Sequence, residues 1–212
     1  MQVMSSEYNA LTQLLNGSYA LTNFRTSLLL GVVSASGVAL ALVAEATRFS
    51  ETFVIFALVL LPVVLFIGVA TFVRLARSLQ EAILYLQGMN RVRRFFQEQA
   101  PITVPYFVLS SQDDPAGLFQ SSAHRQSPWL LTFLLSTANG VVAVVNSVVA
   151  AVIGAVLTIK LAGVGGPMPL VAAVCVFLAV LVISVGLWLW SLWTFRSNLT
   201  IRFQVTGVPT TQ

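Results

Sequence analysis

The sequence predicts an all-α membrane protein with four transmembrane helices in two hairpins. Both termini are placed in the cytoplasm, and span two is extended as a long cytoplasmic helix. Composition carries the first part of this prediction, because 57% of the 212 residues are hydrophobic and only 8% are charged. A soluble domain is about 25% charged. A chain of this composition cannot cover itself with polar surface in water.

Four uncharged stretches are each long enough to cross a bilayer, since about 20 helical residues span roughly 30 Å of hydrocarbon. These are spans one to four, at residues 26–44, 52–73, 126–159 and 161–195. Membrane β-strands are the weaker interpretation, because they are about ten residues long and alternate in polarity. The chain is thereby divided into an amphipathic N-terminal helix (1–25), hairpin 1 (26–73), a cytoplasmic helix and loop (74–127), hairpin 2 (128–195) and a cytoplasmic tail (196–212).

The basic residues predict the orientation. Nine of the eleven Lys and Arg residues precede span one, lie between spans two and three, or follow span four: Arg25, Arg74, Arg77, Arg91, Arg93, Arg94, Arg125, Arg196 and Arg202. Arg48 and Lys160 lie in the short connections. By the positive-inside rule, both termini and the middle segment are cytoplasmic. Tryptophans favour membrane boundaries, so the cytoplasmic ends of spans three and four are expected at Trp129, Trp188, Trp190 and Trp193.

A helical pattern of apolar residues continues beyond span two. Leu75, Leu79, Ala82, Leu86, Met89, Arg93 and Phe96 follow one another at steps of three and four residues. This spacing places them on one helix face, and no proline occurs between Pro62 and Pro101. Span two is therefore predicted to continue as one helix, which extends about 40 Å into the cytoplasm at 1.5 Å per residue.

Three further segments are predicted on the cytoplasmic side. Residues 7–24 predict an amphipathic helix that packs on the extension of span two, with Asn16 and Gly17 as its point of interruption. Residues 101–111 and 198–205 are rich in β-branched and aromatic side chains. They are expected to pair as two short strands.

Span three carries small and polar residues on one face. Ser136, Asn139, Ala143, Asn146 and Ala150 recur at steps of three and four residues. A polar group without a partner in hydrocarbon costs several kcal/mol, so this face is expected to avoid lipid. It either forms a packing seam, where small residues allow close approach and asparagines donate hydrogen bonds across the interface, or lines a water-filled pathway in an oligomer.

Arg91, Arg93 and Arg94 form a basic cluster in the extension of span two. A straight helix holds them about 27 Å beyond the end of the span, well past a Debye length of about 8 Å. The bilayer is therefore an unfavourable partner. The alternatives are Asp113 and Asp114 of the same chain, an acidic protein surface, or an anionic ligand.

The sequence predicts no enzyme and no cofactor. His124 is the only histidine and Cys175 the only cysteine, and neither a nucleophile elbow nor a glycine-rich phosphate loop occurs. No catalytic, cofactor-binding or metal-binding residue is predicted. Asp114 followed by Pro115 is typical of the start of a short helix rather than of a metal site. The net charge of +4 follows from topology, so no nucleic acid partner is expected.

The run YLQGMNRVRRFFQEQAPITVPYFVLSSQDD, residues 85–114, together with the flanking hairpins, resembles a group of uncharacterised bacterial four-span integral membrane proteins. The resemblance covers most of the chain but depends mainly on this segment. It implies a location in the bacterial inner membrane, with no assigned activity and no functional residue to carry over.

Two functions remain as hypotheses. The first is a membrane-anchored interaction or regulatory protein that acts on a cytoplasmic protein partner through its projecting helix and Arg91, Arg93 and Arg94. The second is an oligomeric ion or small-solute channel lined by Ser136, Asn139 and Asn146. The expected partners are the lipid bilayer, further copies of the chain and a cytoplasmic protein.

Overall fold

A computed structural model describes residues 2–121, 137–162 and 167–203, and the regular secondary structure in these ranges is entirely helical. The α-helices are α1 (Gln2–Thr47), α2 (Glu51–Gln99), α3 (Pro115–Ser121), α4 (Ala138–Ala162) and α5 (Met168–Ser197), and a 3₁₀ helix covers Pro101–Tyr106. Four of them, α1, α2, α4 and α5, are long and apolar enough to cross a membrane. The all-α class and the four apolar helices predicted from the sequence are thereby confirmed.

The chain divides into two compact units. Unit 1 consists of residues 1–21, 77–130 and 191–212, and unit 2 consists of residues 22–76 and 131–190. Of these, the structure describes residues 2–21, 77–121 and 191–203 in unit 1, and residues 22–76, 137–162 and 167–190 in unit 2.

The core of unit 1 lies between the first turns of α1, the second half of α2, and α3. Its buried apolar residues are Leu15, Ala82, Leu86, Met89 and Leu118. Three of these belong to the predicted α2 seam, and Arg93 of the same seam is also buried. At Gly88 an added Cβ would lie 2.9 Å from Cδ1 of Leu11, so the absence of a side chain allows α1 to approach α2 closely.

The N-terminal helix and span one, which were predicted as separate elements, form a single helix. Helix α1 runs without interruption from Gln2 to Thr47, through Asn16 and Gly17. Glycine and asparagine lower helix stability by up to about 1 kcal/mol each. Here their neighbours Leu15 and Ser18 are buried, and the Ser18 hydroxyl donates to the Ser78 carbonyl at 3.4 Å. Packing on α2 therefore outweighs the local preference for a break.

The predicted strand pair is wrong. Residues 101–106 form a 3₁₀ helix, and neither residues 101–121 nor residues 198–203 contain a strand. Pro101 and Pro105 have no backbone N–H to donate to a ladder, which disfavours a strand in this segment. The two segments do meet, because Asp113 N–H donates to the Phe203 carbonyl at 3.3 Å. Residues 204 and 205 lie outside the described residues.

Unit 2 packs α1, α2 and α4 through two apolar clusters. Ala57, Leu61, Val64 and Val149 form one, and Leu29, Leu75 and Val142 form the other. The 18-residue apolar window of α5, by contrast, has none of its residues buried. Large apolar side chains such as Phe66 and Leu187 are exposed on these helices, which suits contact with hydrocarbon.

We expect Leu86→Ala to destabilise unit 1 by about 2–3 kcal/mol, because it leaves a cavity between α1 and α2. Leu84→Ala is the matched control, since Leu84 is two residues away on the same helix but 47% exposed. Its cost should stay below about 0.5 kcal/mol. Amide hydrogen exchange of α3 in nanodiscs reports the difference as a change in the free energy of local opening. Equal exchange in both variants would contradict the described core.

Candidate functional site

Unit 1 contains a cluster of buried polar side chains. Buried polar groups are almost always hydrogen-bonded, and these connect α2, the 107–114 segment, α3 and the residues after α5. The members are Gln87, Asn90, Arg93, Asp113 and Ser121. We call them the polar cluster.

Asp113 holds the chain segment that follows α5. Its fully buried carboxylate accepts the Arg91 Nε–H at 2.7 Å. It also accepts the backbone N–H of Phe203 at 2.7 Å and that of Arg202 at 3.0 Å. An ionised carboxylate only accepts hydrogen bonds, so these donors complement it.

The same segment is bound a second time through its carbonyls. Thr200 O accepts from the Gln87 amide at 3.0 Å and from the Arg91 guanidinium. Gln87 also donates to the Asp113 carbonyl at 3.1 Å. Gln87 and Arg91, which lie one helical turn apart on α2, thus hold residues 200–203 by hydrogen bonds.

The pKa of Asp113 is lowered. Burial alone would raise it, but the N–H groups of Phe203 and Arg202 and the Arg91 guanidinium stabilise the ionised form more strongly. The contribution of this carboxylate to stability is therefore present above the pKa of an unfolded aspartate, about 3.9. It is lost as the pH falls through the lower folded-state pKa.

Asn90 joins the 107–114 segment to α3. Its amide N–H donates to the Gln112 carbonyl at 2.6 Å. Its carbonyl oxygen accepts from Arg93 Nη1 at 2.6 Å and from the Ser121 hydroxyl at 2.9 Å. Asn90 is fully buried. It was not predicted as a site residue, and the only sequence signal was its position next to the seam residue Met89.

Arg93 is only 4% exposed. Its Nη2 donates to the Tyr8 hydroxyl at 3.0 Å, and its Nη1 donates more weakly to the Ser110 carbonyl at 3.4 Å. The guanidinium carbon lies 5.5 Å from the centre of the Tyr8 ring, within the range of a cation–π contact. Within the part of the chain that the structure describes, these partners and Asn90 are all neutral.

The three arginines of the predicted partner surface therefore have three different environments. Arg91 pairs with Asp113, which agrees with the intramolecular alternative for that residue. Arg93 is buried, with 4% of its surface exposed, and so contributes almost nothing to a protein partner surface. Arg94 stays exposed, pairs with Glu98 one turn along α2 at 2.7 Å, and lies 5.8 Å from the Phe203 ring. The other carboxylate, Asp114, accepts the Gly117 N–H at 2.8 Å and so caps α3, as predicted.

An open groove of about 390 Å³ lies beside Arg93. Aromatic and aliphatic side chains form most of its wall, and the lining residues that carry a polar side-chain group are Arg93, Tyr8 and Tyr106. The lining residues are Tyr8, Arg93, Phe96, Tyr106, Phe107, Val108 and Leu109. The adjoining 3₁₀ segment is unusually apolar at its surface, because Ile102, Tyr106 and Val108 are 84%, 82% and 96% exposed.

The polar face of span three lies in unit 2. Its described members Asn139, Ala143, Asn146 and Ala150 are all buried, and Ser136 lies outside the described residues. The Asn139 amide points to the Phe72 carbonyl of α2 at 3.4 Å. An added Cβ on Gly68 of α2 would lie 1.8 Å from Oδ1 of Asn146. These contacts favour the packing-seam alternative over a water-filled pathway.

The tryptophans at the end of α5 differ in exposure. Trp188 is buried, whereas Trp190 and Trp193 are largely exposed. Exposed indoles at the end of an apolar helix suit a membrane boundary. Trp129 lies outside the described residues.

The residues that the structure describes contain no group of three or more His, Cys, Asp or Glu side chains that could hold a metal ion. Comparison of the chain with known proteins gives no match to a family model, a curated protein or a solved structure. The class that the fold defines is that of a helical protein with four candidate membrane-spanning helices. The candidate site of this protein is the polar cluster with its adjoining groove.

We expect Gly68→Ala to separate α2 from α4, because the new methyl group cannot share space with the Asn146 carbonyl. Gly31→Ala is the control, since nothing lies within 4 Å of a Cβ at that position. Thermal unfolding in nanodiscs should show a loss of about 1–3 kcal/mol for Gly68→Ala, and no loss but a gain of up to about 1 kcal/mol from helix propensity for Gly31→Ala. Adding Asn146→Ala to Gly68→Ala should restore much of the loss, and an unrestored double variant would contradict the seam.

We expect Asp113→Asn to release residues 199–203, because an amide cannot accept the same set of N–H donors. Breaking a buried charge pair costs about 2–4 kcal/mol, and hydrogen exchange of these residues should rise accordingly. Glu98→Gln, which breaks the exposed pair with Arg94, is the control and should change little.

The same exchange measured against pH supplies a second check. In the unsubstituted chain the protection of residues 199–203 should hold at pH 5 and fall only below about pH 3.9. Loss of protection between pH 5 and 7 would contradict the assigned ionisation of Asp113.

Proposed function

We propose that the protein is a non-enzymatic, multi-pass membrane protein that binds a cytoplasmic protein partner through unit 1. The observation that carries this proposal is the exposure of Ile102, Tyr106 and Val108 on one short segment of that unit. Single exposed apolar residues are common on soluble surfaces, whereas contiguous ones mark interaction sites.

The composition of the segment supports a binding role. Residues 99–112 carry no charged side chain, and interface cores are depleted in charge and enriched in aromatic residues. Tyr106 is an amphipathic ring of the kind that dominates binding energy at protein interfaces. The exposed side chains of Arg94 and Glu98 form an ion pair at the end of α2. Both residues precede the uncharged segment closely in sequence, so they can form part of a polar rim.

The distribution of charge supports a cytoplasmic location for unit 1. Seven of the eleven basic residues fall in the ranges of unit 1, namely Arg77, Arg91, Arg93, Arg94, Arg125, Arg196 and Arg202. The positive-inside rule associates such segments with the cytoplasm. The resemblance of residues 85–114 to bacterial four-span proteins suggests the inner membrane as its location, with both termini on the cytoplasmic side.

A protein partner fits the segment better than the bilayer does. Helix α2 is continuous to Gln99, and the 26 residues after Val73 correspond to about 40 Å of helix. If the apolar part of α2 crosses the membrane, the segment lies beyond the lipid headgroups. The channel alternative receives no such support, because its described lining residues are buried in the seam with α2.

The proposal is tested by placing a photo-crosslinking amino acid at Tyr106 in cells. We expect one discrete protein adduct, which Ile102→Asp should reduce at least about fivefold because a charge enters an apolar contact. The same crosslinker at Asn9, exposed on α1 of the same unit, is the control and should give no such adduct. Identical adducts from both positions, or none from Tyr106, would remove the proposed partner surface.

A further inference from the structure

The groove beside Arg93 has the size and lining of a small-molecule site. Its volume of about 390 Å³ falls within the 300–1,000 Å³ of typical ligand pockets, and is too small to receive a helix. Four aromatic residues line it, Tyr8, Phe96, Tyr106 and Phe107. Aromatic walls prefer aromatic guests, because offset and edge-to-face ring contacts add to the gain from burial.

The charge of the groove is uncompensated within the described residues. Arg93 is buried, yet its partners there are the neutral oxygens of Asn90, Ser110 and Tyr8. The nearest carboxylate in the polar cluster, Asp113, is already occupied by Arg91 and two backbone N–H groups. A buried cation is costly unless it is paired, so an anion that enters the groove gains a partner that the protein does not itself supply.

Tyr8 provides the second polar contact. Its hydroxyl oxygen accepts from Arg93 at 3.0 Å, and its own O–H proton remains to be donated. A carboxylate at the polar end of the groove can accept from the Tyr8 O–H while it neutralises Arg93. The rest of the ligand then contacts Phe96 and Val108.

We propose that this groove binds a small aromatic carboxylate, with the carboxylate at Arg93 and Tyr8 and the ring between Phe96, Phe107 and Val108. This site shares Tyr106 and Val108 with the proposed partner surface, but the carboxylate contacts at Arg93 and Tyr8 are separate from it. Titration of the purified chain therefore tests the ligand, and crosslinking in cells tests the partner. Binding would add a ligand contact to both α1, through Tyr8, and the 107–114 segment of unit 1.

The test is isothermal titration calorimetry of the full chain in nanodiscs with 4-phenylbutyrate, against its uncharged analogue 4-phenylbutanamide. Empty nanodiscs give the background. We expect the acid to bind at least about tenfold more tightly than the amide, the usual value of one charge-assisted contact. Equal affinity for both compounds, or no binding of the acid at millimolar concentration, overturns the proposal.

Two variants keep the test independent of folding. Val108 is 96% exposed, so Val108→Glu and Val108→Gln should both fold. Val108→Glu should bind the acid at least about fivefold more weakly than Val108→Gln, because only the glutamate adds like-charge repulsion. Tyr8→Phe keeps the ring and removes the hydroxyl, and should weaken binding of the acid more than that of the amide, because a carboxylate is the stronger acceptor. If Val108→Glu and Val108→Gln bind the acid equally well, the carboxylate is not held in this groove and the proposal fails.

Discussion

The ion pair between the buried Asp113 and the half-buried Arg91 is the interaction on which unit 1 depends. It joins three segments that are far apart in the sequence: α2, the loop before α3, and the residues that follow α5. Closing such long loops costs entropy that local contacts do not offset. Charge-assisted hydrogen bonds in a water-excluded site are strong enough to do so. The tail residues themselves supply only backbone N–H and carbonyl groups to these contacts, so the hydrogen bonds tolerate any residue type at positions 202 and 203 except proline, which has no backbone N–H.

Features that depend only on residues close together in the chain could be predicted from the sequence. The α2 seam, including Arg93, follows from steps of three and four residues, and the Asp114 cap of α3 follows from an aspartate before proline. The pairing of Asp113 with Arg91 was one of the alternatives that the sequence offered. The contacts of Asp113 with the backbone of residues 202 and 203 could not be predicted, because no side-chain pattern identifies them. The strand expectation failed for the same reason, since partner choice between distant segments is a tertiary property. The continuity of α1 was also a tertiary outcome, because the burial of Leu15 and Ser18 overrides Asn16 and Gly17.

Arg93 shows how a seam position can hold a charge without a carboxylate. Its guanidinium has five N–H donors in a planar fork, and the described partners spread over Asn90, Ser110 and Tyr8. The face of the Tyr8 ring adds a contact that a lysine would use less well. This arrangement links α1 to α2 and to the loop without drawing Asp113 away from Arg91.

In unit 2 the buried asparagine side chains contact a neighbouring helix backbone instead of a charged partner. In α4 the asparagines face a neighbouring backbone, with Asn139 directed at the Phe72 carbonyl and Asn146 seated against Gly68. A glycine in a helix costs about 1 kcal/mol relative to alanine. That cost is offset only if the close approach of α4 is gained in return, as is common where small residues meet in apolar helices. A glycine opposite an asparagine is therefore a sign of contact between helices, because a side chain that faced open water would place no such demand on Gly68.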